Sequence, residues 1–123
     1  MRRVVITGQG AITALGHNAH QTLEAIREGI CGVGELTFQD SERLSVRIGA
    51  QVKEFDPADH FNRQEIAFYD PFTQFALLAG KEAVAASGIV FEGALAERAG
   101  VILGSAGGRL QTQDQSYRAV YAE

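Results

Sequence analysis

The chain has 123 residues, of which 46% are hydrophobic and 21% charged, and its formal net charge at pH 7 is −4. This length allows one domain with a core of its own, and no apolar run is long enough to span a bilayer. The acidic balance argues against nucleic-acid binding, which needs a basic face, so we expect neither a nucleic-acid nor a membrane partner.

Cysteine content and the amino terminus set further limits. A single cysteine excludes an internal disulfide and a multi-cysteine metal site. The apolar run near the start is too short for the apolar region of a signal peptide. We therefore expect a cytoplasmic protein that holds no metal and no cofactor.

The first predicted element is a strand at residues 4–6, a β-branched apolar run that suits burial on both faces. Gly8 and Gly10 follow it and predict a turn where the backbone adopts positive φ or approaches a neighbour closely. The order of strand, glycine turn and helix is also that of a dinucleotide-binding unit. However, that fingerprint needs a third glycine where this chain has Thr13, so a tight turn in the core is favoured.

The next two elements are a helix and a strand. Asn18 can cap the helix, with Gln21 three residues later in a capping-box relation, and Gly29 suits its carboxyl end. Residues 32–44 are predicted to form a surface loop. From residue 46 to 52 apolar and polar side chains alternate, which predicts a half-buried, antiparallel or edge strand.

Asp56 and Pro57 predict the start of a short helical turn. The clearest helix lies between Asp70 and Gly88, because Asp70 is a good cap and Pro71 fits the first helical position. Aromatic and alanine residues recur along it at spacings of three and four. This pattern predicts a helix face that packs in the core.

Residues 99–103 predict a second buried strand, which ends in the glycine-rich turn at residues 104–108. Such a turn is where α/β folds place ligands, but glycines also let a turn pass close to a neighbour, and both interpretations stay open. Residues 111–123 predict a final helix without a stop signal. We therefore expect a chain that is truncated at its carboxyl end.

None of the nucleophilic or metal-ligating side chains in the chain is expected to be catalytic. Cys31 follows a predicted helix end, where the helix dipole disfavours the thiolate. His17 and His20 lie at a helix start with no third ligand near in sequence, and His60 lies in a polar connection.

Four segments of the chain form a series: VVITGQGAITALG, RIGAQVKEFDP, DPFTQFALLAGKEAVAASGI and RAGVILGSAGG. In this order they resemble the amino terminus of a β-ketoacyl-acyl-carrier-protein synthase, a condensing enzyme of the thiolase-like superfamily. The resemblance covers nearly the whole of residues 1–123. It implies a thiolase-like α/β fold, of which this chain is the amino-terminal part of the first α/β half. Ala14, where the family usually has proline, and Cys31, where serine is common, depart from the pattern.

The resemblance implies decarboxylative Claisen condensation of an acyl thioester with malonyl carrier, in fatty-acid or polyketide-like biosynthesis. It implies a cysteine nucleophile and two histidines, which we expect after Glu123, so this chain alone is expected to be inactive. The implied partner is an acyl carrier protein loaded with acyl or malonyl groups, and the full-length protein is expected to form a homodimer. A non-catalytic partner subunit of chain-length-factor type is an alternative, and a small nucleotide-binding module is a weaker one.

The resemblance also assigns two candidate sites. Ala106, Gly107 and Gly108 match the segment that lines the acyl pocket beside the nucleophile. Members that elongate long chains often carry a bulky gating residue there, and Gly107 takes that position and leaves room instead. Arg63 matches one of several basic residues that can meet an acidic carrier protein. The aromatic pair at residues 68–69 instead suits a different carrier or a buried interface.

Overall fold

The computed structural model describes residues 3–38, 40–108 and 110–121. Within these ranges the helices are α1 (Ala19–Arg27), α2 (Arg63–Phe68), α3 (Pro71–Ser87), α4 (Gly93–Ala96) and α5 (Leu110–Tyr121). Two short strands, β1 (Gly34–Glu35) and β2 (Ile48–Gly49), and two 3₁₀ turns, Ser41–Arg43 and Pro57–Asp59, complete the described elements.

The longest helix, α3, confirms the sequence prediction at both ends. The Asp70 side chain accepts a hydrogen bond from Phe72 N at 3.0 Å, Pro71 occupies the first helical position, and Gly88 ends the helix with φ 63°. The aromatic and alanine face expected in the core is half-buried along most of its length, and its last alanine is exposed. The one buried residue of α3 is Gln74, with 3% of its surface exposed.

Helix α1 also has the predicted cap. The Asn18 side chain accepts from Gln21 N at 2.8 Å, and Gly29 follows the helix end with φ 70°. The side-chain oxygen of Gln21, Oε1, accepts a hydrogen bond from His17 N at 2.8 Å. The return contact of the predicted capping box therefore falls on the residue before Asn18. The predicted turn at Asp56 and Pro57 is confirmed as the 3₁₀ turn Pro57–Asp59.

The two predicted buried strands are wrong for this structure. Residues 4–6 and 99–103 have no strand conformation, and the valine, isoleucine and leucine side chains among them expose 62% or more of their surface. A strand forms only where neighbours take its N–H and C=O groups. Among the described residues nothing pairs with either segment, so their apolar composition is left on the surface.

The predicted strand at residues 46–52 is present only as β2. It pairs antiparallel with β1, Gly34 opposite Gly49 and Glu35 opposite Ile48, so the predicted orientation is confirmed. The expected half-buried face is wrong, because Val46 and Ile48 are both 64% exposed. The segment 32–44, predicted as a loop, contains strand β1 and a 3₁₀ turn. Neither element could be predicted from sequence, because neither has a periodic apolar pattern.

The glycines after residue 6 let the chain touch α3. A Cβ placed on Gly10 would lie 2.0 Å from Ala79 O, and a Cβ on Gly8 would lie 2.1 Å from Ala83 O. Ala79 and Ala83 are one helical turn apart, so the segment follows the surface of α3. The predicted close approach is confirmed, and its neighbour is a helix backbone.

Glu82 joins three parts of the fold through one carboxylate. Its Oε2 accepts from Ala11 N at 2.9 Å and its Oε1 accepts from Ala19 N at 2.9 Å. Ala19 is the first residue of α1, where the helix dipole favours a negative charge. Glu82 therefore holds both the glycine segment (residues 8–11) and the start of α1 against α3.

We expect Glu82→Gln to lower the free energy of unfolding by about 2 kcal/mol, because the amide keeps one acceptor oxygen and turns a donor toward the other backbone N–H. Denaturant unfolding of the protein measures the change. The matched control is Glu24→Gln, whose carboxylate makes only an exposed ion pair with Arg27 at 2.7 Å. Its effect is expected to stay below about 0.5 kcal/mol. Equal losses in the two variants would contradict the role assigned to Glu82.

Candidate functional site

The glycine-rich turn at residues 104–108 directly precedes α5 and is closed by its own serine. Ser105 Oγ accepts a hydrogen bond from Gly108 N at 2.7 Å. Gly108 has φ 58°, a conformation that glycine adopts without strain. Ala106 and Gly107 are exposed, and Gly108 is half-buried. The three residues predicted to line an acyl pocket therefore lie together on one turn that a hydrogen bond closes.

Gly107 faces the first residue of α5. A Cβ on Gly107 would lie 2.6 Å from Leu110 Cδ1 and 3.1 Å from Leu110 Cγ. Leu110 is 62% exposed, so its side chain has room to rotate away. The space beside Gly107 is limited by one movable side chain and not by backbone.

Asp70 connects the start of α3 to the start of α5. One carboxylate oxygen, Oδ1, caps α3, while the other, Oδ2, accepts from Thr112 N at 3.1 Å and from Thr112 Oγ1 at 2.5 Å. The carboxylate is buried, with 6% of the residue's surface exposed. The cap of α3 is predictable from the sequence, whereas the contact to Thr112 is not, because the two residues are 42 positions apart.

A cavity of about 290 Å³ lies beside this contact, between α2, α3 and α5. Gln74 on α3 and Thr112 and Gln115 on α5 contribute to its wall. Gln74 Nε2 donates to Tyr69 O at 2.9 Å, whereas Gln74 Oε1 is buried and has no hydrogen-bond partner among the described residues. The cavity wall is therefore polar where it is formed by the first turns of α3 and α5.

A second cavity, of about 530 Å³, separates α5 from the strand pair. Leu36 and Phe38 form part of its apolar wall, and the opposite wall carries Arg118. Arg118 Nη1 donates to Asp40 at 2.6 Å and Nε donates to Asp114 at 2.7 Å. These hydrogen bonds, first that to Asp40 and then that to Asp114, raise the pKa of the Arg118 guanidinium. The pair with Asp40 is the second point at which α5 is tied to the rest of the chain.

Arg63, the candidate carrier-docking residue, is exposed at the first position of α2. The helix has a full capping box between Asn62 and Glu65, a local signal from which α2 is predictable. Phe68 is 75% exposed, but Tyr69 is half-buried, and its ring packs edge-on against Phe61 with centroids 6.0 Å apart. Only the first residue of the aromatic pair is therefore free for a partner.

Cys31, His17 and His60 have structural contacts, and His20 is exposed on α1. Cys31 is exposed, with its thiol 4.0 Å from Val33 O. His17 Nε2 forms a hydrogen bond with Lys53 O at 2.7 Å, and the His60 ring stacks on Phe55 with centroids 5.5 Å apart. In the part of the chain that the structure describes, no three histidine, cysteine, aspartate or glutamate residues are grouped as metal ligands. No helix in the same part has the length and hydropathy needed to cross a bilayer.

Comparison with known proteins gives consistent matches over the chain. The family model described as "Beta-ketoacyl synthase, N-terminal domain" matches residues 1–122. The 3-oxoacyl-[acyl-carrier-protein] synthase 2 of Staphylococcus aureus is 34% identical over 117 residues, 95% of this chain and 28% of the relative. The protein of that name from Synechocystis is 34% identical over 115 residues, 93% of this chain and 28% of the relative. The chain thus spans little more than a quarter of the length of these relatives.

Proposed function

Because the chain belongs to the β-ketoacyl synthase family and matches its amino-terminal domain, we propose that it is part of a 3-oxoacyl-[acyl-carrier-protein] synthase. The family implies a thiolase-like α/β fold. We infer that this chain is the amino-terminal part of the first α/β half of that fold. The observation that carries the proposal is the match over residues 1–122, supported by 34% identity to proteins with that name.

The proposed reaction is a decarboxylative Claisen condensation. A cysteine thiolate attacks the acyl thioester, forms a new thioester with the enzyme and releases the carrier thiol. Malonyl carrier then loses carbon dioxide, and two histidines stabilise the resulting enolate. The enolate carbon attacks the enzyme-bound thioester, so that a carbon–carbon bond forms and the cysteine leaves as thiolate. We place these three residues after Glu123, which makes this chain inactive by itself.

The contribution of this chain is a wall of the acyl channel at Ala106, Gly107 and Gly108. Support comes from the hydrogen bond between Ser105 Oγ and Gly108 N, which closes this turn just before α5 begins at Leu110. Support also comes from Gly107, which has no side chain and meets only a movable leucine. The exposed apolar residues 4–6 and 101–103 suit strands that further parts of the enzyme cover.

The proposed partner is an acyl carrier protein in acyl- and malonyl-loaded forms, as the name of the relatives suggests. Arg63 is the proposed docking cation for this acidic partner, since it is exposed at the start of α2. We further propose a homodimer for the full-length protein and the cytoplasm as its place of action.

The test of the function is incubation of the full-length protein with acyl carrier and malonyl carrier, followed by mass analysis of the carrier. A β-ketoacyl carrier product is the expected result. Absence of product from the protein alone, with product on addition of an active synthase subunit, would favour the non-catalytic partner subunit instead. Sequencing beyond Glu123 separates the same alternatives, because only the enzyme needs the cysteine and the two histidines.

We expect Arg63→Ala to raise KM for acyl carrier about two- to threefold at low salt and to leave kcat unchanged, because one exposed charge contributes little to binding. The matched control is Arg27→Ala, which removes an exposed arginine of α1. Measuring KM against ionic strength checks the electrostatic origin. An equal rise for both variants, or a rise that salt does not reduce, would remove Arg63 from the docking site.

A further inference from the structure

We propose that Asp70 and Thr112 are positioning residues that set acyl-chain selectivity by fixing the glycine-rich turn at residues 104–108. The proposal rests on the proposed function of that turn as a wall of the acyl channel. Neither residue is proposed to touch the reacting atoms. Their role is to place Gly107 and the adjacent Leu110 relative to α3.

Helix α5 is held to the rest of the fold through Thr112. Among its described residues Thr112 alone is not exposed. Its N–H and its hydroxyl both donate to Asp70 Oδ2, which is buried. Hydrogen bonds to a buried carboxylate are among the stronger ones in proteins. The other tie of α5 among the described residues, between Arg118 and Asp40, is a partly exposed ion pair of the kind that contributes little. Asp70 is thus the principal anchor of α5.

Thr112 is close in sequence to the glycine-rich turn at residues 104–108. Thr112 lies in the first turn of α5, two residues after Leu110, the side chain that faces Gly107. The Ser105 hydroxyl bonds to Gly108 N, so the loop moves with the residues that follow it. A shift of the first turn of α5 therefore displaces Leu110 and the proposed channel wall together.

The Asp70 carboxylate couples the proposed channel wall to α3. Asp70 Oδ1 caps α3 while Oδ2 holds α5, so one side chain fixes both helix starts. Asparagine caps helices as well as aspartate does. Asp70→Asn is therefore expected to keep its oxygen on Phe72 N and to turn its amide N–H₂ toward Thr112 N, which releases α5 while α3 stays capped.

The experiment compares kcat/KM for acetyl and long-chain acyl primers in the full-length protein. Thr112→Val removes the hydroxyl but keeps the backbone N–H, and is expected to lower the long-to-short selectivity ratio about fivefold. Thr112→Ser is expected to restore the ratio, and Asp70→Asn to lower it at least as much as Thr112→Val. The matched control is Thr22→Val in α1, which loses a hydroxyl contact with Thr13 at 3.0 Å and is expected to leave the ratio unchanged.

Amide hydrogen exchange of the same proteins tests the anchor without using activity. Faster exchange in residues 104–116 of Thr112→Val, with no change in α1, is expected. Equal losses for short and long primers, or unchanged exchange in this segment, would overturn the proposal. If the unaltered protein forms no β-ketoacyl product, the proposed function and the selectivity role both fail. The exchange data then still decide whether Asp70 holds the turn.

Discussion

Replacing Gly10 with alanine is expected to lower the free energy of unfolding by about 3 kcal/mol or more. The new Cβ would lie 2.0 Å from Ala79 O and 2.9 Å from Glu82 Cβ. Neither Ala79 O nor the helix that holds it can move aside as a flexible side chain does, so the glycine segment must separate from α3. That separation also breaks the hydrogen bond from Ala11 N to Glu82 Oε2.

The control for this prediction lies on the same helix. Gly80→Ala adds the same methyl group to α3, where a Cβ meets nothing within 4 Å. Alanine is a better helix former than glycine, so Gly80→Ala is expected to raise the free energy of unfolding, by up to about 1 kcal/mol. Denaturant unfolding of the two variants gives changes of opposite sign if the contact at Gly10 is real. A neutral Gly10→Ala would show that the segment does not lie against α3.

The helices could be predicted from sequence where their signals are local. Asn18, Asp70 and Gly88 each act within a few residues of the helix end that they define, so their roles follow from spacing alone. The strands could not be predicted in this way. Residues 4–6 and 99–103 have the composition of buried strands, but burial depends on a neighbour that the described residues do not supply.

The candidate site shows the same division between local and distant information. The glycines of the turn are visible in the sequence, and the resemblance to condensing enzymes gives them a role. The carboxylate that anchors the adjoining helix is visible only as a cap, because its second partner, Thr112, is 42 residues away. Glu82 gives no local signal at all, since its two partners, Ala11 and Ala19, are backbone amides 71 and 63 residues away.

Gly107→Ile is expected to change substrate selectivity far more than stability. Gly107 has no positive φ, so a side chain is allowed there, and the atom that a Cβ would meet belongs to the movable, 62% exposed side chain of Leu110. The folding cost is therefore expected to remain within about 1 kcal/mol. The added side chain would instead occupy the proposed acyl channel and exclude the distal methylenes of a long primer.

Each buried methylene contributes about 0.8 kcal/mol, so exclusion of about four of them corresponds to roughly a two-hundredfold loss of kcat/KM for long primers. Acetyl primer, which does not reach the turn, is expected to lose less than about threefold. Decarboxylation of malonyl carrier is expected to continue, because the histidines that assist it lie elsewhere. The assay is kcat/KM across a primer-length series, with Gly80→Ile on α3 as the matched control, since a Cβ at Gly80 meets nothing within 4 Å. If short and long primers lose the same factor in Gly107→Ile, Gly107 does not line the acyl channel.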